Sequence, residues 1–541
     1  DGTALAFTTR TSPAGETKPR DKKTLWEQHA PRVLTNLVYR FDGEGQFDAT
    51  YQHIWTIPVT GGEARQLTAG DWNDGSPVWS PDGRAIAITS WREPDRGDTH
   101  LTDIWAVSVE DGAARKLTES KGPSGLPVWS PDGRMIAYAG HVKGPEFISA
   151  TVHLWVVPAA GGEPRPLTER LDRSVNDAPS GRAITWAPDG SAVYCACFDA
   201  GACRLYRASL AGGEAQALTG SVRSLTAIDV NSNGRFCVYA AVAPTSPGEL
   251  WLQPLDGGAA RRLTHHNDAL EAEVELSDLE PVGFTGADGW QIQAWLLKPR
   301  DFDARRPAPL VLEVHGGPHG MHGCTFQAGP QALAARGYAV LLVNPRGSAG
   351  YGEPFAEACV ADWGGKDYED LMAGVDWAVA QGIADPRRLA VMGYSYGGFM
   401  TSWIVGHTDR FRAAVCGAPV SDLASMYGES DIGTGFGEFE WGGPPWERWD
   451  FYHERSPVYH IQNCSTPLML QHWEGDLRCP ISQSEVLFAA LKRLGREVVF
   501  VRYPGAFHRY ATHAPSQRAD AIERGIAWFD RWLATERAPA K

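Results

Sequence analysis

Three residue positions carry the makings of acyl-transfer chemistry: a serine in Gly393-Tyr394-Ser395-Tyr396-Gly397, an acid at Asp476 and an imidazole at His508. A G-x-S-x-G between a strand and a helix is a nucleophile elbow, whose glycines let the chain reverse sharply and display the serine hydroxyl. The apolar run 388–392 predicts the strand and 399–405 the helix. The partners of such a serine follow in the order acid, then histidine. Asp476 lies in a loop just after the predicted strand 467–471, with Glu474 as its rival. His508 follows the predicted strand 498–503, with His513 as its rival, and its place directly after the strand favours it. Attack on a carbonyl also needs donors for the oxyanion. The backbone N–H of Tyr396 is one candidate, and His315-Gly316-Gly317-Pro318, after the predicted strand 309–314, offers the other.

These residues need a scaffold of alternating strands and helices, and the second half of the chain supplies one. Strands are predicted at 291–297, 309–314 and 338–343, and helices at 329–336 and 367–380. Nucleophile, acid and base all fall beyond the carboxyl ends of predicted strands, where an open parallel sheet presents its site. We therefore expect an α/β-hydrolase domain over residues 283–541.

Residues 1–282 follow a different grammar. Trp55, Trp105, Trp155, Tyr206 and Trp251 recur at spacings of 50, 50, 51 and 45 residues, each followed by a turn and a Leu-Thr pair. Between them recurs Trp-Ser-Pro-Asp-Gly, at Trp79 to Gly83 and Trp129 to Gly133, with looser copies ending at Gly190 and Gly234. Pro-Asp-Gly makes a tight turn, so each unit holds about four short strands, one propeller blade. The tryptophans are expected in the blade cores. Cys195 and Cys197 share a strand face and are expected to pack there rather than bind metal. The chain begins Asp1-Gly2-Thr-Ala-Leu-Ala-Phe, which matches the middle of the Pro-Asp-Gly-Arg-Ala-Ile-Ala element. The array is thus expected to start inside a blade of an N-terminally truncated β-propeller.

Composition narrows the partners. With 65 acids against 50 bases among 541 residues and no basic run, nucleic acid is not an expected partner. No apolar run approaches the ~18 residues of a membrane span. No cofactor and no metal site is expected. Scattered cysteines suit a cytoplasmic location, although the absence of an initial methionine leaves a removed signal peptide open. Homo-oligomerisation is left open as well.

Taken together the motifs resemble the prolyl oligopeptidase family of serine peptidases, in particular its bacterial acylaminoacyl-peptidase branch. The match rests on His315-Gly-Gly-Pro318, Asn344-Pro-Arg-Gly-Ser348, Gly393-Tyr-Ser-Tyr-Gly-Gly398, Trp441-Gly-Gly-Pro-Pro-Trp446, Ser456-Pro457, Asp476-Leu-Arg-Cys-Pro480 and Trp528-Phe529. The resemblance implies a seven-bladed propeller over the hydrolase and a triad of Ser395, Asp476 and His508. It also implies an oxyanion hole from the Gly317 and Tyr396 amides. Trp473 stands where the family usually shows glycine. Dipeptidyl-peptidase-IV-like members hold the substrate amine with a Glu-Glu pair, and this chain has none. Asp431, Glu438 and Glu440 fall near the implied substrate cleft and are left unassigned. The expected activity is cleavage of short peptides near the N-terminus, releasing acylated or free N-terminal residues. The alternatives are an esterase or amidase acting on small non-peptide substrates, and a propeller interaction protein with an inert hydrolase domain.

Overall fold

The computed structural model describes residues 2–11, 31, 33–47, 50–95, 98–99, 101–119, 121–144, 147–176 and 181–534. Between residues 4 and 262 the described residues form five successive antiparallel sheets, propeller-like in their stacking, and one small hairpin, Arg40–Phe41 with Gly45–Gln46. Four sheets have four strands in chain order, as in Asp74–Trp79, Ala85–Ser90, Asp103–Ser108 and Ala114–Lys116. The first sheet has three, Ala4–Thr11, Tyr51–Pro58 and Arg65–Gln66, which match the second to fourth strands of its successors.

The repeated residues hold these sheets together in two ways. Apolar side chains fill the gap between neighbours: Ile54 and Leu67 pack with Ile86 and Val107, and Ile104 and Leu117 with Ile136 and Val157. Trp129 and Trp186 donate their indole N–H to Val78 and Val128 carbonyls of the preceding sheet. The Leu-Thr pair closes each sheet's outer edge. The hydroxyls of Thr68, Thr118, Thr168, Thr219 and Thr264 accept the amides of Ile54, Ile104, Leu154, Leu205 and Leu250 at 2.8–3.0 Å. Cys195 and Cys197 are fully buried in one inter-sheet core.

The second half is built on one eight-stranded sheet. Its strands are β1 (Leu279–Thr285), β2 (Gln291–Leu297), β3 (Ala308–Val314), β4 (Ala339–Asn344), β5 (Ala384–Tyr394), β6 (Phe411–Gly417), β7 (Leu468–Trp473) and β8 (Val498–Tyr503). They run in the order β1-β2-β4-β3-β5-β6-β7-β8, parallel from β4 through β8, with β2 antiparallel to both its neighbours. Helices α1 (Ala328–Ala335), α2 (Lys366–Ala380), α3 (Tyr396–His407), α4 (Ser482–Arg493) and α5 (Pro515–Leu533) alternate with the strands. Two apolar cores result. One holds α3 with Leu310, Leu312 and Val391, and the other holds Trp528 and Phe529 of α5 with Val311, Ala390 and Val415. Alternation along each strand explains both cores, because successive residues face opposite sides of a sheet covered by helices on each. The expected division at residues 282 and 283 falls within β1.

The N-terminal sheets dock at the carboxyl ends of the parallel strands. Glu353, after β4, pairs with Lys143 and accepts the Thr151 amide. Ala200 donates to the Gly350 carbonyl (2.9 Å) and Cys324 to the Gly201 carbonyl (2.7 Å). The backbones meet so closely at Gly323 that an added Cβ would lie 1.7 Å from the Gly201 oxygen. Among the described residues no helix is long and apolar enough to cross a membrane.

Candidate active site

Strand β5 runs into α3 through a single strained residue, Ser395, with φ 63° and ψ −123°. A non-glycine residue held there is costly, and such strain is typical of functional turns. The elbow's glycines are sterically required. A Cβ on Gly393 would come within 2.4 Å of the Gly397 oxygen, one on Gly397 within 2.1 Å of the Val314 oxygen, and one on Gly398 within 2.3 Å of the Gly417 oxygen. The turn can therefore sink between β3 and β6 and leave Ser395 at the sheet's carboxyl edge.

Asp476 and His508 lie on the loops after β7 and β8. His508 Nδ1 donates to Asp476 Oδ2 at 2.6 Å. Asp476 Oδ1 accepts the amides of Arg478 (2.9 Å) and Cys479 (2.8 Å). Burial alone would raise the acid's pKa. The charge of His508 and the hydrogen bonds from His472 and His508 outweigh it and bring Asp476 down to about 2. His472 is locked in turn, with Nε2 donating to the Cys479 carbonyl and Nδ1 2.8 Å from Ser484 Oγ. Both loops are tied to each other, because Gly475 donates to the Gly505 and Ala506 carbonyls. Ser395 Oγ lies 3.8 Å from Cys479 Sγ and, among the described residues, makes no hydrogen bond to His508. Serine–imidazole bonds are commonly long or unmade without substrate.

The rivals have other tasks. Glu474 is exposed and pairs with Arg502. His513 stacks on Trp473 at 3.8 Å between ring centroids and lies with Nε2 2.9 Å from the Phe507 carbonyl, so it braces the residue before His508. The tryptophan that departs from the usual glycine is thus one wall of the His508 loop. Its indole donates to Gln517 and its ring also stacks on Tyr503.

The 315–318 loop lies against Ser395. A Cβ on Gly316 would meet Ser395 Cβ at 3.4 Å. Gly317 has φ 126°, a conformation that suits glycine, and precedes a cis Gly317–Pro318 peptide. His315 fixes this loop: Nδ1 donates to the Gly316 carbonyl (2.8 Å) and Nε2 lies 2.9 Å from Ser348 Oγ. Burial lowers its pKa to about 4, so it is neutral at ordinary pH. The Asn344-Pro-Arg-Gly-Ser348 segment is the buttress, with Asn344 holding the His322 backbone and Arg346 pairing with Asp370.

With this geometry in view, the comparisons decide the family. A prolyl oligopeptidase family model matches residues 324–536. The chain is 37% identical over 533 residues to the uncharacterized peptidase YuxL of Bacillus subtilis (strain 168), covering 96% of this chain and 80% of that one. It belongs to the prolyl oligopeptidase family. This family member is thus a serine hydrolase. Its fold is similar to that of Pyrococcus horikoshii acylaminoacyl peptidase, with a TM-score of 0.83 and 26% identity over 100% of this chain and 81% of that one. It is 28% identical over 358 residues to dipeptidyl-peptidase 5 of Porphyromonas gingivalis, covering 65% of this chain but only 52% of that protein.

Two contacts that hold the His508 loop were not singled out from sequence. The Tyr394 hydroxyl donates to the His508 carbonyl (3.0 Å), with its ring 4.9 Å from the imidazole. Its place beside Ser395 was the available signal. Asp42, from the N-terminal half, accepts the His508 amide, and no motif marks it. The three acids left unassigned are all engaged. Asp431 pairs with Arg478, Glu440 with His319 and the Trp363 indole, and Glu438 accepts the Tyr427 hydroxyl.

Proposed function

We propose that this chain is a serine peptidase that cleaves short peptides near their N-terminus through an acyl-enzyme on Ser395. The observation that carries this reading is the 2.6 Å Asp476–His508 pair on two loops tied together beside the strained Ser395 turn. Asp476 holds Nδ1–H and leaves Nε2 as the base. The imidazole takes the Ser395 proton as Oγ adds to the scissile carbonyl, then delivers it to the leaving amine. Gly317 and Tyr396 amides bind the oxyanion, each such donor being typically worth ~3–4 kcal/mol. Water then repeats the sequence on the acyl-enzyme. In this reading the N-terminal sheets belong to a seven-bladed-type propeller that covers the site. A short peptide reaches Ser395 and a folded protein does not.

Acylated N-termini fit better than free amines. Asp431, Glu438 and Glu440 are the acids of the adjoining segment, and each is already engaged by a cation or a donor. An incoming ammonium would find Asp431 and Glu440 already engaged, and only the exposed Glu438, held by a neutral hydroxyl, open to it. Parallel assays on acetyl-aminoacyl, free aminoacyl, dipeptidyl and simple ester chromogenic substrates test this. We expect acetyl-aminoacyl amides to give the highest kcat/KM. Turnover confined to esters, or a clear preference for free dipeptidyl amides, would overturn it.

A further inference from the structure

The hairpin Arg40–Phe41/Gly45–Gln46 stands outside the repeats of the N-terminal half and reaches the triad loops. It is seated on the 429–431 segment: the Arg40 guanidinium donates to the Glu429 carbonyl, and the Asp42 amide to Asp431 Oδ2 at 2.8 Å. Its Phe41 ring lies under the Arg478 guanidinium at 5.3 Å. At the tip the Asp42 side chain turns inward and is 2% exposed. Oδ1 accepts the Leu477 amide (3.1 Å) and the His508 amide (2.9 Å), and Oδ2 lies 3.1 Å from the His508 amide. One carboxylate thus binds the residue after the acid and the base itself.

We propose that Asp42 is a positioning residue, through which the N-terminal half holds the acid and base loops in register. The proposal rests on the triad reading of Ser395, Asp476 and His508. The His508 loop needs such a tether because Gly505 (φ 77°) and Ala506 (φ 28°) turn the chain just before the imidazole. A carboxylate accepting backbone N–H groups makes charge-assisted bonds roughly twice as strong as neutral ones. Removing it leaves the amides of Leu477 and His508 without that acceptor and frees the imidazole to shift. A displacement of ~1 Å in a catalytic group can cost on the order of 10²-fold in rate. Seating of the N-terminal half and competence of the triad are therefore linked by this one side chain.

The test uses full-length Asp42→Ala, Asp42→Asn and Ser395→Ala proteins, with an acetyl-aminoacyl anilide as substrate. Readouts are kcat, KM, the thermal midpoint, and the low-field proton resonance of the His508–Asp476 hydrogen bond. Asp42→Ala should lower kcat by roughly 10–100-fold with KM changed by less than about threefold, and should broaden or shift the low-field proton. Asp42→Asn keeps a carbonyl acceptor and should recover most of kcat. If Asp42→Ala does not fold, Asp42→Ser carries the same expectation. Retention of kcat within about twofold in Asp42→Ala, or equal losses in the Ala and Asn variants that track the thermal midpoint, would overturn the proposal. Turnover by Ser395→Ala would instead overturn the triad reading, so the two failures are distinguishable.

Discussion

The two halves of the molecule use their recurring residues in opposite ways. In the N-terminal half one solution is repeated: a threonine hydroxyl caps the amide of the residue before each aromatic position, five times over. In the C-terminal half each motif is used once, and its members converge from distant loops on a single serine. Loss of one copy of the first kind removes a share of stability. Under the proposed triad, loss of one residue of the second kind should remove the chemistry. Asp42 breaks the division, because it is a unique residue of the repeat half that bonds to the unique loops of the other.

The sharpest way to break this contrast is to remove the proposed base, His508. His508→Ala should reduce kcat by on the order of 10⁵–10⁶ while circular dichroism stays that of the folded protein. Asp476→Asn should cost roughly 10⁴, since the imidazole then loses its orienting acceptor. Comparable activity in either variant would put the chemistry elsewhere.

The cover over the sheet's carboxyl end sets the next largest effect. One scissile sequence, offered first as a peptide of a few residues and then in an exposed loop of a folded protein, should be cut only in the first form. Gly201 of the N-terminal half meets residues 323–324 backbone to backbone at that end of the sheet. Equal cleavage of both would remove the gating role of the N-terminal half.

Stability against pH separates the halves again. Asp476 is held at about 2 against an ordinary 3.8, a depression worth on the order of 2–3 kcal/mol. Because the folded pKa is the lower one, that stability is present above pH ~4 and is lost as pH falls toward 2. The stability difference between wild type and Asp476→Asn in urea unfolding should shrink over that window. A difference independent of pH would contradict the assigned cause. The smallest effect belongs to the repeats: Thr168→Val should destabilise by about 1–2 kcal/mol, by leaving the buried Leu154 amide unpaired, and leave kcat unchanged. A change in kcat there would blur the division.

What could be read from sequence follows the same line. The repeated N-terminal sheets were legible because Trp or Tyr, Gly and Leu-Thr recur about every 45–51 residues. Most of the sheet was legible, because β2, β3, β4, β7, β8 and the 388–392 part of β5 are largely apolar runs, whereas β1 and β6 were not expected. The glycines of the elbow announced themselves because no side chain fits there. The preference for Asp476 over Glu474 and for His508 over His513 came from loop position, and in the structure Glu474 pairs with Arg502 while His513 stacks on Trp473. Asp42 was illegible for a different reason. It sits outside the repeats, and its partners are 435 and 466 residues away and are backbone amides, which carry no sequence signature. Tyr394 lies within the Gly393–Gly398 motif, but its bond is likewise to a backbone carbonyl.

The central claim is that a single serine carries the acyl group. Intact mass and peptide mapping after treatment with a serine-directed phosphonylating reagent test it most directly, with turnover lost in step. One adduct per chain, on Ser395, and none on Ser395→Ala is the predicted result. An adduct on another serine, or near-normal turnover by Ser395→Ala, would contradict it.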